Sequence, residues 1–349
     1  MAYTNIDDPS AYFQTLLWTG NSTDARALTN DGNSDLQPDW VWLKNRDIGY
    51  NHFLQDSSRG NTKVLNSDSN TAESTYTNMV ESFDTNGFTI GFDGSQVPNF
   101  NGNTFVAWQW KANGGSTSTD TSGDINSTVQ ANQDAGFSIV TYNPSNTTTR
   151  NIGHGLGVKP DCIIIRNRTR IENWRVWFNV IGQGALTLDG TATYTVNSNL
   201  VNSATSSTFN VGGDFSVNGN YPYVAYCFAS KQGYSKFGKY VGNGSTDGPF
   251  VYTGFKPALI IRKVTSATGG WLIQDNKRTT FNGSNSTTNG LRPNSNEAEF
   301  DFFDIDYLSN GFKIRTTEAN HNASGETFIY MAFAEHPFVS SEGVPTTAR

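Results

Sequence analysis

Pro38-Asp39-Trp40-Val41-Trp42-Leu43-Lys44-Asn45-Arg46 reads as a β-strand. A proline opens it, aromatic, β-branched and aliphatic residues fill it, and basic residues end it. The chain writes the stretch again as Pro160-Asp161-Cys162-Ile163-Ile164-Ile165-Arg166-Asn167-Arg168. A third, more altered copy is Pro257-Ala258-Leu259-Ile260-Ile261-Arg262-Lys263-Val264. The three prolines recur at the spacing of one small domain, which predicts three related units in tandem.

Other segments keep the same order around each copy. Leu16–Asn21, Phe137–Asn143 and Phe237–Asn243 precede the proline strand, and His52–Arg59, Trp174–Asn179 and Trp271–Arg278 follow it. Next come Ser82–Gly91 and Tyr307–Ile314, each built on Asn-Gly between apolar runs, the pattern of a tight hairpin whose two turn residues accept positive φ. In the middle unit Thr208–Gly213 is read as a Gly-based variant of that turn. A second turn, at Asn101-Gly102-Asn103, Asn218-Gly219-Asn220 and Ser324-Gly325-Glu326, leads to the closing strands Thr104–Trp110, Pro222–Phe228 and Thr327–Phe333. The expected fold is all-β: three tandem homologous β-sandwich units, lectin- or jelly-roll-like, chosen over closed barrels. The boundaries are a polar lead at 1–15, units at 16–113, 136–232 and 233–338, a linker or surface strap at 114–135, and a loose polar tail at 339–349.

Composition agrees. Only 36% of the 349 residues are hydrophobic and 16% charged, while 23 Phe, 14 Tyr and 8 Trp sit among abundant Gly, Asn, Ser and Thr. This describes strands joined by polar turns, and no window has the apolar spacing of a long helix. A net charge of −7 without any basic run argues against nucleic acid as a partner. No stretch of about 18 apolar residues predicts membrane insertion. The first residues, Met1–Pro9, lack a basic and an apolar region, so no secretory signal is expected. Cys162 and Cys227 both lie in the middle unit; buried free thiols of a reducing compartment are the simpler reading, a disulfide the alternative.

The search for chemistry gives little. His52, His154, His321 and His336 do not pair at metal-ligand spacing, and there is no Cys-x-x-Cys, Gly-x-Ser-x-Gly or phosphate-binding loop. Gly153-His154-Gly155-Leu156-Gly157 reads as a glycine-rich connection rather than a catalytic site. Glu297, Glu299, Asp301, Asp304 and Asp306 could offer oxygens to calcium, but the first three alternate at period two and read more simply as a solvated strand face. Asp56/Arg59 and Asp275/Arg278 repeat an Asp-x-x-Arg pair that the middle unit lacks. A polar binding spot is one reading; a structural brace, with Asp closing a turn, is favoured. Trp42, Trp108 and Trp110 could stack on sugars, but their positions in strands favour the core. No catalytic, metal or cofactor residue is assigned, no cofactor is expected, and binding residues stay open.

Gly233-Tyr234-Ser235-Lys236-Phe237-Gly238, Gly242–Phe250 and Phe255-Lys256-Pro257 resemble a repeat in virion proteins of tailed phages, especially marine and cyanobacterial ones. Leu36–Arg46 and Asp56-Ser57-Ser58-Arg59-Gly60 resemble the same family, and the likeness runs from about Tyr12 to Phe338. The resemblance implies a non-enzymatic virion protein of the tail-fibre or lectin-like sandwich kind, made in the host cytoplasm and contributing to host attachment. Capsid decoration or head-fibre protein, and free lectin or polysaccharide-degrading enzyme, are the alternatives. It implies other virion proteins as partners, a host-surface glycan as a ligand, and a homo-oligomer. Fibres of this kind are commonly trimers, but three units in one chain could also build a pseudo-threefold object from one copy. The short lead at 1–15 is expected to dock on another virion protein, having no core of its own to join.

Overall fold

A strand that is apolar at every position, rather than at alternate ones, needs cover on both faces. The computed structural model, which describes residues 3–95, 97–278, 289–302 and 304–346, shows how each proline strand is covered. Trp40–Asn45 and Cys162–Asn167 are buried throughout, as is Phe255–Val264. Each lies inside a sheet of one recurring order: lead, closing, proline and fourth strand. In the first sheet these are Phe13–Thr19, Thr104–Trp110, Trp40–Asn45 and Phe53–Asp56. In the second they are Phe137–Tyr142, Tyr223–Phe228, Cys162–Asn167 and Arg175–Phe178. In the third they are Ser235–Val241, Thr327–Pro337, Phe255–Val264 and Trp271–Asp275. All neighbours are antiparallel.

One face of each sheet packs under a small outer sheet. Arg26–Thr29, Gly87–Ile90 and Val80–Asp84 cover the first; Arg150–Gly153, Thr208–Val211 and Val201–Ala204 the second; Phe250–Tyr252, Gly311–Ile314 and Ile305–Leu308 the third. Three separate apolar clusters fill these layers, for example Val41, Leu43, Phe88 and Ile90 in the first. The protein is therefore all-β and built of two-layer β-packing.

The other faces of the three sheets meet one another. A single cluster holds Phe13, Trp40, Trp42, Trp108 and Trp110 from the first sheet, Phe137, Ile164, Tyr226 and Phe228 from the second, and Phe237, Ile261, Met331 and Phe333 from the third. Trp40 stacks on Tyr226 with centroids 4.2 Å apart and on Trp110 at 4.5 Å. Phe13 stacks on Phe333 at 5.3 Å, and Phe228 meets Phe237 at 5.5 Å. The stretches 16–113, 136–232 and 233–338 thus each enclose an apolar cluster between their own two layers and also share this central one.

Several expectations change in detail. Residues 114–135 contain Ser118–Asp120 and Ser127–Asn132, which extend the second sheet beyond its lead strand. Gly114 and Gly115 take left-handed φ of 60° and 79°, and their N–H groups donate to Asp39. The lead does have a core to join. Ile6 and Phe13 are in the central cluster, Thr4 Oγ1 donates to Gln232 O, and Tyr3 Oη donates to Gly254 O. The tail folds back too: Val339 bridges Pro345, and Ser341 N donates to Asp7.

The Asn-Gly hairpins form for a different reason from the one expected. Neither Asn86 nor Asn310 has positive φ, so these are not turns with two left-handed residues. A Cβ on Gly87 would sit 2.0 Å from Leu28 O, and one on Gly311 would sit 2.1 Å from Val251 O. Glycine is required by close approach to the edge strand, and at Gly87 also by the expected positive φ, here 115°. In the middle unit the turn lies at Thr205-Ser206-Ser207, closed by Thr205 N donating to Thr208 O; Gly212-Gly213 follow the hairpin.

One shared core predicts one cooperative transition. Calorimetry of the whole chain should give a single peak whose van't Hoff and calorimetric enthalpies agree, and Trp40→Ala should cost about 3–5 kcal/mol without splitting it. Separate transitions for the three segments would contradict the shared core.

Candidate functional site

The residues that carried chemical promise meet at the seams between sheets. The fourth strand of the first sheet ends at Asp56, and the turn after it presents Arg59. Asp56 Oδ1 accepts from Arg59 N at 2.8 Å and Oδ2 accepts from Arg59 Nε at 2.5 Å. Arg59 Nη2 donates to Leu54 O at 3.0 Å, and Nη1 donates to Glu73 at 2.8 Å. Glu73 also receives two bonds from Arg168 of the second sheet, at 2.9 and 2.8 Å. Tyr226 Oη, from the second sheet's closing strand, donates to Asp56 Oδ2 at 2.7 Å. The result is a buried chain of alternating charge crossing from one sheet to the next.

The same device recurs between the third and first sheets. Asp275 accepts from Arg278 N at 2.8 Å and Nε at 2.6 Å, and Arg278 Nη2 donates to Ile273 O. Arg278 Nη1 donates to Glu299 at 2.8 Å, and Arg46 of the first sheet donates twice to Glu299, at 2.9 and 2.7 Å. Trp108 Nε1, at the register position of Tyr226, donates to Asp275 Oδ2 at 3.0 Å. Burial pushes the Glu73 and Glu299 carboxyls up, but the paired arginines outweigh it and hold both below the usual glutamate value.

The seam between the second and third sheets replaces charge with apolar groups. Phe178 stands at the register position of Asp56 and Asp275, Ile181 three residues beyond it, and Met331 at that of Trp108 and Tyr226. Tyr194 takes the place of the glutamate. Its N–H donates to Thr265 O at 2.8 Å, as Glu73 N does to Arg168 O and Glu299 N to Arg46 O, both at 2.7 Å. The three backbone contacts run from sheet to sheet in a closed cycle.

The basic residues at the ends of the proline strands obey the same cycle. Lys44 Nζ donates to Tyr50 O at 2.6 Å and to Asn296 O of the third unit at 3.2 Å. Arg166 reaches Thr71 O of the first unit, and Lys263 reaches Thr191 O of the second at 3.4 Å. Desolvation pushes Lys44 down to about 8, against the pull of Asp68 and Glu299, and pushes Lys263 down to about 8. Two indoles reinforce it: Trp174 Nε1 donates to Asn66 O at 2.8 Å, and Trp271 Nε1 to Thr187 O at 2.7 Å.

The remaining candidates fall into place singly. Cys162 and Cys227 are free and buried in different clusters on opposite faces of one sheet, so they do not pair. His154 is buried, with Nδ1 accepting from Leu156 N at 3.2 Å and Nε2 3.3 Å from Thr205 O. His52 Nδ1 accepts from Trp42 Nε1 at 2.9 Å, and the ring of buried His321 lies 5.1 Å from that of Phe302. Trp42, Trp108 and Trp110 are core. The acidic run is not a solvated strand face. Glu299 belongs to a seam, and fully buried Asp304 pairs with Arg262 at 2.6 Å inside the third outer layer. Glu297 pairs with Arg292 and Asp306 with Arg315. Among the described residues no group of three or more His, Cys, Asp or Glu is placed to hold a metal ion. Nor is any helix among the described residues long and apolar enough to cross a membrane.

Sequence reasoning found the Asp-x-x-Arg pairs but missed their partners. Glu73 and Glu299 lie in loops of unequal context, and only the loss of the motif in the middle unit hinted that neighbouring units compensate.

The chain belongs to a family described as a domain of unknown function (DUF7483), whose pattern matches residues 8–337. No curated protein and no solved structure matches it.

Two outcomes test this reading of the buried charges. Asp304→Asn should cost about 3–5 kcal/mol by stranding Arg262, whereas Asp304→Ala with Arg262→Leu should recover most of the loss. Leucine and isoleucine already occupy the register positions of Arg262 in the other sheets, as Leu43 and Ile165. For Lys44 and Lys263, the folded value of about 8 lies below the ordinary 10.5. The unfolded chain then binds more protons between those values, so stability should rise with pH from about 8 towards 10. Urea midpoints at pH 7.5 and 9.5 measure it, and replacing both lysines by methionine should abolish the rise.

Proposed function

We propose that this chain is a structural and adhesive virion protein of a tailed phage, a fibre or appendage subunit that acts without catalysis. The observation that carries the reading is the use of its charged motif residues. Asp56, Arg59, Glu73 and Arg168, with Asp275, Arg278, Glu299 and Arg46, lock three sheets together instead of facing an open site. Such a frame is stiff, and stiffness is what an appendage needs to hold loops towards a surface. The likeness of Leu36–Arg46 and Gly242–Phe250 to phage virion repeats supplies the class. Within it, the three sheet pairs are read as tandem homologous lectin-like sandwiches. Other virion proteins and a host-surface glycan are the partners, and the virion is the location.

Antibody labelling of intact particles tests the placement. Label on the tail is expected; label confined to the capsid lattice would replace the reading with a decoration or head-fibre protein. Purified protein should also compete with particles for adsorption to host cells. Cleavage of host polysaccharide by the purified chain would favour an enzyme instead. Native mass spectrometry separates a trimeric fibre from a three-way object made by one chain.

A further inference from the structure

Two clefts of ≈ 340 and ≈ 410 Å³ adjoin beside the lead, sharing Tyr3, Lys231 and Gln232. The first is walled by the phenol rings of Tyr3 and Tyr252, the second continues past Tyr3 to Tyr12. Their size suits small sugars rather than water alone. Tyr252 is 46% exposed although it is a large aromatic side chain. It lies two residues from Phe250, also 46% exposed, on an edge strand whose middle residue, Val251, is buried. Alternation along the strand therefore turns both rings outward, about 7 Å apart.

One cation lies against Tyr252 and a second lines the same cleft. Lys236 Nζ lies 5.2 Å from the ring centroid and donates to Tyr252 O at 2.9 Å. Lys231 lines both clefts, and its ammonium makes no ion pair among the described residues. No carboxylate lines the Tyr252 cleft among the described residues; the nearest lining acid, Asp134, belongs to the Tyr12 end. On a chain of net charge −7 this is a local reversal of sign.

We propose that the cleft at Tyr252 binds an acidic oligosaccharide, its sugar ring stacked on Tyr252 and its carboxylate or sulfate met by Lys236 and Lys231. An exposed tyrosine offers a flat apolar face to the C–H side of a sugar, and the Tyr252 hydroxyl is held 3.0 Å from that of Tyr3. Ammonium groups on flexible stems meet anionic substituents without demanding one geometry. The proposal rests on the adhesive reading and names its ligand class.

The test is calorimetric titration of the full chain with an oligogalacturonate, a sulfated galactan oligomer and neutral cello-oligosaccharide. Binding of the acidic sugars and not the neutral one is expected, weakening as salt is raised. Tyr252→Ala, and separately Lys236→Met with Lys231→Met, should each weaken it at least tenfold while leaving the melting temperature unchanged. Equal binding of the neutral sugar, no binding of either acidic sugar, or binding indifferent to these substitutions would overturn the assignment. The Tyr252→Ala protein is also tried as a competitor of particle adsorption. If the cleft fails in titration while the chain still blocks adsorption, the adhesive reading stands and only the ligand site falls.

Discussion

The constraint on which the structure depends is that the four recurring strands of each large sheet have no face to give to water. Its outer face is covered locally by a hairpin and an edge strand. Its inner face can be covered only by the other two sheets. A sheet alone would expose a slab of indole, phenyl and aliphatic surface, which a soluble body does not tolerate. The three parts of the chain are thus obliged to assemble, and everything at the seams serves that obligation.

Burying the seams raises a second problem, since the strand ends carry cations. The solution is to give every one of them but Arg262, which pairs with Asp304, a partner from a neighbouring part of the chain. Arg168 and Arg46 meet glutamates in paired hydrogen bonds, and Lys44 and Lys263 meet the backbone carbonyls of Asn296 and Thr191. Partnered charges in a dry seam add little net stability but punish any other arrangement, because a stranded one is costly. Aromatic contact supplies the adhesion between sheets and charge supplies its geometry.

Much of this was written locally and could be read. Strand positions followed from proline, β-branched and aromatic runs, and the order of elements from their repetition. The tryptophans were placed in the core by their period. What could not be read was pairing across sheets. Asp56 and Tyr226 are far apart in the chain, and nothing near either names the other. The acidic run was misread because period two implies one face only if the segment is a strand; only Phe300–Asp301 and Ile305–Leu308 are, and Glu299 and Asp304 turn inward to arginines. The lead was misread because polar composition hid two anchors, Ile6 and Phe13.

The apolar seam has a consequence for how the chain finds its own arrangement. Three sheets of one recurring strand order on one string could close in more than one cyclic order, or borrow a sheet from a neighbouring molecule. Because Phe178, Ile181, Tyr194 and Met331 all fall on one seam, that seam is chemically unlike the other two. Placing Tyr194 where Glu73 belongs would leave Arg168 facing no carboxylate. Each junction therefore carries an address, and mis-threaded or exchanged assemblies are rejected by their unmatched charges. A sequence that had kept three identical seams would have been more symmetric and less certain of its own topology.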